Sequence, residues 1–136
     1  RLVLAQGRVA VALAALDLAA GRPAARTRVA LQQALPALDG ARLRVHVVEV
    51  TYPPGGASAP HAHPCPVVGH VVRGAFRTRV ADGPEVVVRA GESFYEAPGV
   101  AHTVSANASA TEPVTFTATF VCDREGPLSI PSPGTR

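Results

Sequence analysis

The pair His61 and His63 is the part of this sequence best suited to chemistry. One residue separates the two histidines, and they follow a loop rich in Pro and Gly (PPGGASAP, residues 53–60) at the start of a predicted strand. Side chains two positions apart on a strand lie on the same face, so both imidazoles can reach one ion. Neutral imidazole binds Fe, Zn, Cu and Ni. Taken alone, the pair is weak evidence for a metal site, and two structural histidines are the commoner case.

Short strands are the elements that would position these histidines. From residue 43 onward the hydrophobic pattern has a period of two and Val is frequent, which favours strands. Turns rich in Gly and Pro separate the runs, and the ADGP turn at 81–84 indicates a hairpin. The predicted strands are 43–52, 66–73, 75–81, 85–89, 92–96, 102–106 and 113–122. Many short strands with no helix between them are typical of an antiparallel sandwich or barrel.

The first forty residues have a different pattern from the rest of the chain. They are rich in Ala and Leu, and they predict a short helix near residues 9–20. The segment near 27–35 is ambiguous, and a strand against the barrel or against a neighbouring subunit would fit it. We therefore expect an N-terminal extension (1–40), a barrel (41–122) and an irregular tail rich in Pro, Gly and Ser (123–136).

Length and composition exclude several classes of protein. The 136 residues suffice for one domain. All thirteen basic residues are Arg and the net charge is +3, but they are scattered, whereas a nucleic-acid interface concentrates them on one face. No stretch reaches the roughly 18 to 20 apolar residues that span a membrane. We expect neither nucleic acid nor membrane as a partner.

Two spaced motifs give the sequence a family resemblance. Gly55, the His61-x-His63 pair and Gly74 resemble the first motif of the cupin superfamily, and GESFYEAPGVAH (91–102) resembles the second. The resemblance covers about residues 43–122. It implies an all-β fold, a cupin-type antiparallel β-barrel (a double-stranded β-helix or jelly roll), after a short N-terminal helical or extended segment. It also implies that His61, His63 and His102 hold one divalent transition metal ion: Fe, Mn, Ni, Cu or Zn.

The sequence departs from the family pattern at one ligand. Cupins usually have a Glu separated from the second His by three or four residues, at positions where this chain has Val67 or Val68. The loss favours a three-His site, an open position filled by water, or a weakened site. Glu96 is the best replacement as a fourth ligand, since a buried carboxylate is costly unless it is paired or metal-bound. A solvent-facing residue of the strand is the alternative interpretation of Glu96.

Other residues are weaker candidates. His70 is an alternative ligand, and it would point inward only if Val68 rather than Val67 occupied the position of the missing Glu. Glu96 and Tyr95 are the candidate catalytic residues, because either could move a proton beside the metal. Tyr52 could reach the mouth of the barrel.

The resemblance implies a metal-binding protein that acts on or binds a small molecule. A three-His ion with open positions can bind an oxygen-bearing substrate or polarise a carbonyl. We therefore expect a small-molecule enzyme, dioxygenase-like or isomerase-like. The alternative is a non-catalytic small-molecule-binding or sensory protein with a weakened metal site, which the missing Glu would explain.

Assembly, thiol state and location follow from weaker signals. A small barrel tends to protect its open edge by pairing, so we expect a homodimer. Cys65 and Cys122 are expected to be two unpaired thiols, although a single bridge between them is possible. We expect a cytoplasmic protein. The alternative is export, because residues 9–20 have the length of a signal-peptide core.

Overall fold

The computed structural model describes residues 25–132, and all regular secondary structure within them is β. Ten strands follow one another: β1 (Arg44–Tyr52), β2 (Ala57–Ser58), β3 (His61–Ala62), β4 (Val67–Arg73), β5 (Ala75–Val80), β6 (Val86–Arg89), β7 (Ser93–Glu96), β8 (His102–Asn107), β9 (Val114–Cys122) and β10 (Ile130–Pro131). The predicted all-β class is confirmed, and most predicted strands differ from the observed ones by one residue at an end.

The strands form two antiparallel sheets. The first has the order β1-β9-β4-β7, and the second has the order β10-β3-β8-β5-β6, with β2 also paired to β8. Buried side chains of both sheets form one apolar cluster, so the sheets pack face to face. The alternation is clearest on β9, where every second residue from Val114 to Cys122 is buried. This strand carries much of the core between the sheets.

One glycine makes room for an aromatic ring in this core. Gly69 on β4 pairs with Phe94 on β7, and a Cβ atom at residue 69 would lie 1.9 Å from Cζ of Phe94. The Phe94 ring therefore lies over the position that any larger side chain would fill. Any larger residue at position 69 would therefore have to displace the Phe94 ring.

Two short strands lie where the sequence predicted only loop or tail. β2 lies within the loop 53–60, and β10 pairs with β3 in the segment expected to be irregular, while β3 begins at His61, where the histidine pair was expected to start a strand. The prediction of an irregular tail is therefore wrong at Ile130–Pro131. The segment 27–35 has no regular secondary structure.

The chain divides into two units, Arg1–Gln33 and Ala34–Arg136, and the ten strands belong to the second. The helix predicted near 9–20 lies outside the described residues. Within residues 25–132, no helix has the length and apolar character needed to cross a membrane.

The two cysteines form a disulfide, so the expectation of two unpaired thiols is wrong. Val67 of β4 pairs with Phe120 of β9, and continuing this register by two residues sets Cys65 opposite Cys122. Their Cα atoms are 5.2 Å apart, within the range that a disulfide spans. The sequence alone could not show the pairing, because it depends on a register between strands that are far apart in the chain.

The disulfide should contribute strongly to stability, because it closes a loop between residues separated by 57 positions. Replacing both residues, Cys65→Ser with Cys122→Ser, is expected to lower the free energy of unfolding by about 2–4 kcal/mol. Urea denaturation of the oxidised protein and the variant would measure the difference. Equal midpoints for the two proteins would show that the bridge contributes nothing.

Candidate metal centre

The fold brings three histidines together at one end of the space between the sheets. His61 lies on β3 and pairs directly with His102 on β8, while His63 follows β3 by one residue. One ligand atom from each of the three lies within 4.8 Å of the others. His63 and His102 are buried and His61 is half-buried. Residues more than forty positions apart thus form one compact imidazole cluster.

Each imidazole has one ring nitrogen occupied by a neighbour outside the cluster. Nδ1 of His61 donates to the carbonyl oxygen of Ala59, and Nδ1 of His63 donates to that of Leu128, both at 2.8 Å. Nε2 of His102 is 2.6 Å from the hydroxyl of Thr78. Such bonds fix the orientation and tautomer of a metal-ligating histidine. They leave the second nitrogen of each ring for an ion.

Glu96 lies beside these rings, with a buried side chain. On the β4–β7 ladder it is the direct partner of Val67, one of the two positions where the family's usual carboxylate is absent. Its Oε2 is 3.0 Å from Nε2 of His63, and its Oε1 is 2.6 Å from Nδ1 of His102. The interpretation of Glu96 as a solvent-facing residue is therefore wrong.

The charges in the cluster are strongly coupled. Burial by itself would raise the pKa of Glu96, but the close contacts of its carboxylate with His102 and His63 outweigh burial and lower the pKa to about 2. Burial would lower the pKa of His63, yet the bonds to Glu96 and to the Leu128 carbonyl leave it raised. Burial lowers the pKa of His61, and the other two histidines add to this effect. Without a metal ion, Glu96 and His63 thus favour each other's charged forms.

One buried atom shows that the residues fit a metal ion. Within the described residues, Nδ1 of His102 is buried and has no hydrogen bond of good geometry, although a carboxylate oxygen lies close to it. Such an atom needs a partner, and a metal ion in the cluster would supply one. Three imidazoles with one carboxylate are a suitable donor set for Fe, Mn, Ni, Cu or Zn.

A cavity of about 390 Å³ opens beside the cluster, between the two sheets. Besides the three histidines and Glu96, its lining is mainly aromatic and aliphatic. Four Phe side chains and Tyr52 supply the aromatic part: Phe76, Phe94, Phe116 and Phe120. The cavity is large enough for a small organic molecule.

The structure does not bring every candidate to this cavity. Tyr95 lies between Phe94 and Glu96 on β7, so alternation points it to the opposite face, and it does not line the cavity. His70 lies on the outer face of β4, where its Nδ1 is 2.8 Å from the hydroxyl of Ser93. Val67 lines the cavity, which agrees with the parity that turns His70 outward. Tyr52 does reach the cavity.

Several contributing residues were not found from the sequence. Thr78 and the segment at Leu128 and Ser129 hold the outer nitrogens of His102 and His63. Ser58 and Ser105 line the cavity. No motif marks these residues, because they are brought to the site by register. The only available signal was the period of two, which sets Thr78 on the same face of β5 as Phe76.

Comparison with known proteins gives one family and a group of similar folds. The sequence model of the Cupin domain family matches residues 48–120. A cupin-like protein from Thermotoga maritima superimposes with a TM-score of 0.51 at 22% identity, covering 56% of each chain. At this identity the likeness concerns the fold alone.

Two further structures are more similar in sequence. Oxalate oxidase in complex with the substrate analogue glycolate aligns at 28% identity and a TM-score of 0.53, covering 60% of this chain and 44% of the other. A double-stranded β-helix protein from Klebsiella pneumoniae aligns at 26% identity and 0.51, covering 58% and 67%. This chain thus spans about half the length of the Thermotoga maritima protein and of oxalate oxidase. No curated protein matches the sequence.

The variant Glu96→Gln tests the charge pair in protein kept free of metal by a chelator. Because the pKa of Glu96 is lowered, its charged form stabilises the fold at pH values above the ordinary pKa of 4.5. This stabilisation is lost as the pH falls towards 2. Because the pKa of His63 is raised, its charged form stabilises the fold at pH values below the ordinary pKa of 6.5. This stabilisation is lost at higher pH. Between these limits, Glu96→Gln should lower the free energy of unfolding by about 1.5–3 kcal/mol.

Urea denaturation at three pH values would measure this effect, with the exposed-carboxylate variant Glu49→Gln as the control. The loss in Glu96→Gln should be largest at about pH 5.5 and should shrink on either side. A loss that is the same at every pH would contradict the charge pair.

Proposed function

The chain belongs to the cupin family, and from that premise we propose that it is a metal-dependent enzyme that acts on a small molecule in the cavity between its sheets. The proposed ligands are His61, His63 and His102, with Glu96 as the fourth. A dioxygenase-like or isomerase-like reaction fits such a centre. The oxalate oxidase likeness, at 28% identity, supports an enzyme in this class of fold.

The position of Glu96 is the observation that carries the proposal. A carboxylate with only 6% of its surface exposed, in a largely apolar cavity, is costly unless cations or metal surround it. Here it lies directly across the ladder from Val67 and contacts two of the three histidines. The carboxylate that the first motif lacks is thus supplied from the second motif, on the neighbouring strand.

The residues of the chain would divide the work at this centre. A bound divalent ion would supply Lewis acidity and, for a redox metal, electron transfer. Ala59, Leu128 and Thr78 keep the imidazoles oriented through their outer nitrogens. The phenylalanine rings exclude water from the apolar part of the cavity, which strengthens electrostatic interactions at the histidines.

The second candidate function is a non-catalytic binding or sensory protein. Its original support was the missing Glu of the first motif, and Glu96 weakens that support because it restores a carboxylate to the site. The cavity itself fits both functions. They differ in one observable: a binding protein needs no metal and releases its ligand unchanged.

We propose the assembly from an exposed edge strand and the location from the disulfide. The outer face of β1 exposes Val45 and Val47, and β1 lies at the edge of its sheet, which supports a homodimer. Light scattering at twice the 14.0 kDa chain mass would agree with this. The Cys65–Cys122 disulfide supports an oxidising compartment, and therefore the exported alternative.

Elemental analysis tests the proposed function. Protein purified without added metal should contain nearly one equivalent of Fe, Mn, Ni, Cu or Zn, because three imidazoles lie within 4.8 Å of one another and a carboxylate contacts two of them. The double variant His61→Ala/His63→Ala should lose the metal. The control variant His70→Ala should keep it, since His70 lies outside the cluster.

Catalytic turnover should be present only in the variants that retain the metal. Oxygen uptake or product formation on a panel of enols, diketones and thiols should disappear in the double variant and survive in His70→Ala. Metal-loaded protein that is silent across the panel would favour the binding protein. Equal metal content in all three proteins would contradict the metal centre.

A further inference from the structure

The aromatic residues of this chain are concentrated around the cavity. The sequence has four Phe residues, and all four line it, together with one of its two Tyr residues. The ring centroids of Phe76 and Phe116 are 4.5 Å apart, and those of Phe76 and Phe94 are 5.0 Å apart. An aromatic guest is well accommodated by such rings, because offset and edge-to-face contacts are favourable. The body of the ligand is therefore expected to be apolar and aromatic.

The charges around the cavity exclude strongly anionic ligands. The chain has no Lys, and within the described residues no Arg lines the cavity. Arg73, Arg77 and Arg79 have side chains that are 66%, 44% and 39% exposed on the outside. A ligand with a carboxylate far from the histidines would bury that charge without a cation, at high cost. This separates the cavity from one built for a dicarboxylate.

A cluster of three hydroxyl groups supplies the cavity with a polar patch. The Tyr52 hydroxyl is 2.5 Å from Oγ of Ser58 and 2.9 Å from Oγ of Ser105. Three hydroxyls carry three hydrogens, but these two contacts use only two of them. Within residues 25–132, the serine hydroxyls have no hydrogen-bond partner other than Tyr52. One hydroxyl hydrogen of the cluster is therefore left to donate to a ligand.

The register of β8 sets this patch and the metal centre on one wall. His102 pairs with Val80 and Val104 pairs with Arg79, so Thr103 is an extra residue that forms a bulge. The bulge restores the same inward face for Ser105 as for His102. Ser105 follows His102 by three positions, which places the two residues about 7–10 Å apart along the strand. One small molecule can therefore reach both ends.

We propose that the cavity binds a neutral aromatic compound carrying a carbonyl or similar acceptor oxygen, which accepts a hydrogen bond from the Tyr52–Ser58–Ser105 hydroxyl cluster while the other end of the molecule faces the histidines. This deepens the proposed function by naming its substrate class, and it rests on that function only in treating the ligand as a substrate. Binding itself requires the cavity and the hydroxyls, not the metal.

Isothermal titration calorimetry on the whole protein, with and without chelator, tests the proposal with three probes. Acetophenone carries the ring and the carbonyl, ethylbenzene has nearly the same shape with no acceptor, and phthalate carries two negative charges. The wild-type protein should bind acetophenone, and phthalate should bind more weakly. The variant Ser105→Ala should lower acetophenone affinity about 2- to 10-fold and leave ethylbenzene affinity unchanged.

Two more variants keep the test decisive. Tyr52→Phe should reproduce the selective loss, because it removes the hydroxyl that joins the two serines. Ser93→Ala, a serine outside the cavity, should change neither affinity. Ethylbenzene affinity also reports whether each variant retains the folded cavity.

Three results would overturn the proposal: no measurable binding of either aromatic probe, equal losses for both probes in Ser105→Ala, or phthalate binding as tightly as acetophenone. Failure of the proposed function looks different. In that case aromatic binding and its dependence on Ser105 remain, while metal content and turnover are absent.

Discussion

The structure around this cavity depends on one constraint: a carboxylate is buried among imidazoles in a largely apolar space. Glu96 would be costly there alone, and its contacts with His63 and His102 offset that cost. The outer hydrogen bonds to Ala59, Leu128 and Thr78 then keep the rings turned towards it. The pairing of β10 with β3 holds the chain near Leu128, whose carbonyl oxygen accepts a hydrogen bond from Nδ1 of His63.

Strand register creates both the site and its main departure from the family pattern. Pairing of β4 with β7 sets Glu96 opposite Val67, so a carboxylate lies beside His63 and His102 although Val67 and Val68 supply none. Pairing of β4 with β9 sets Cys65 opposite Cys122 and closes the disulfide near the same end of the fold. A bulge in β8 keeps Ser105 on the inner face. The pairings of β4 with β7, of β4 with β9 and of β5 with β8 thus position the carboxylate, the disulfide and Ser105.

The local sequence pattern predicted the features that depend only on neighbouring residues. The period of two located most strands, and the spacing of His61 and His63 indicated a shared face before any pairing was known. The burial of Glu96 was predicted only as one of two interpretations, because it depends on a neighbouring strand. The disulfide, the hydroxyl cluster and the contact from Leu128 depend on residues far apart in sequence. Tyr95 was taken as catalytic from its neighbours, whereas alternation turns it away.

Moving the carboxylate back to its usual strand tests most directly whether Glu96 replaces it. Metal affinity, measured by competition with a chelator, would be compared in Glu96→Val and in the double variant Val67→Glu/Glu96→Val. The account predicts a loss of about tenfold or more in the single variant and recovery of most of it in the double variant. Unchanged affinity in folded Glu96→Val, or a folded double variant no better than the single one, would contradict it.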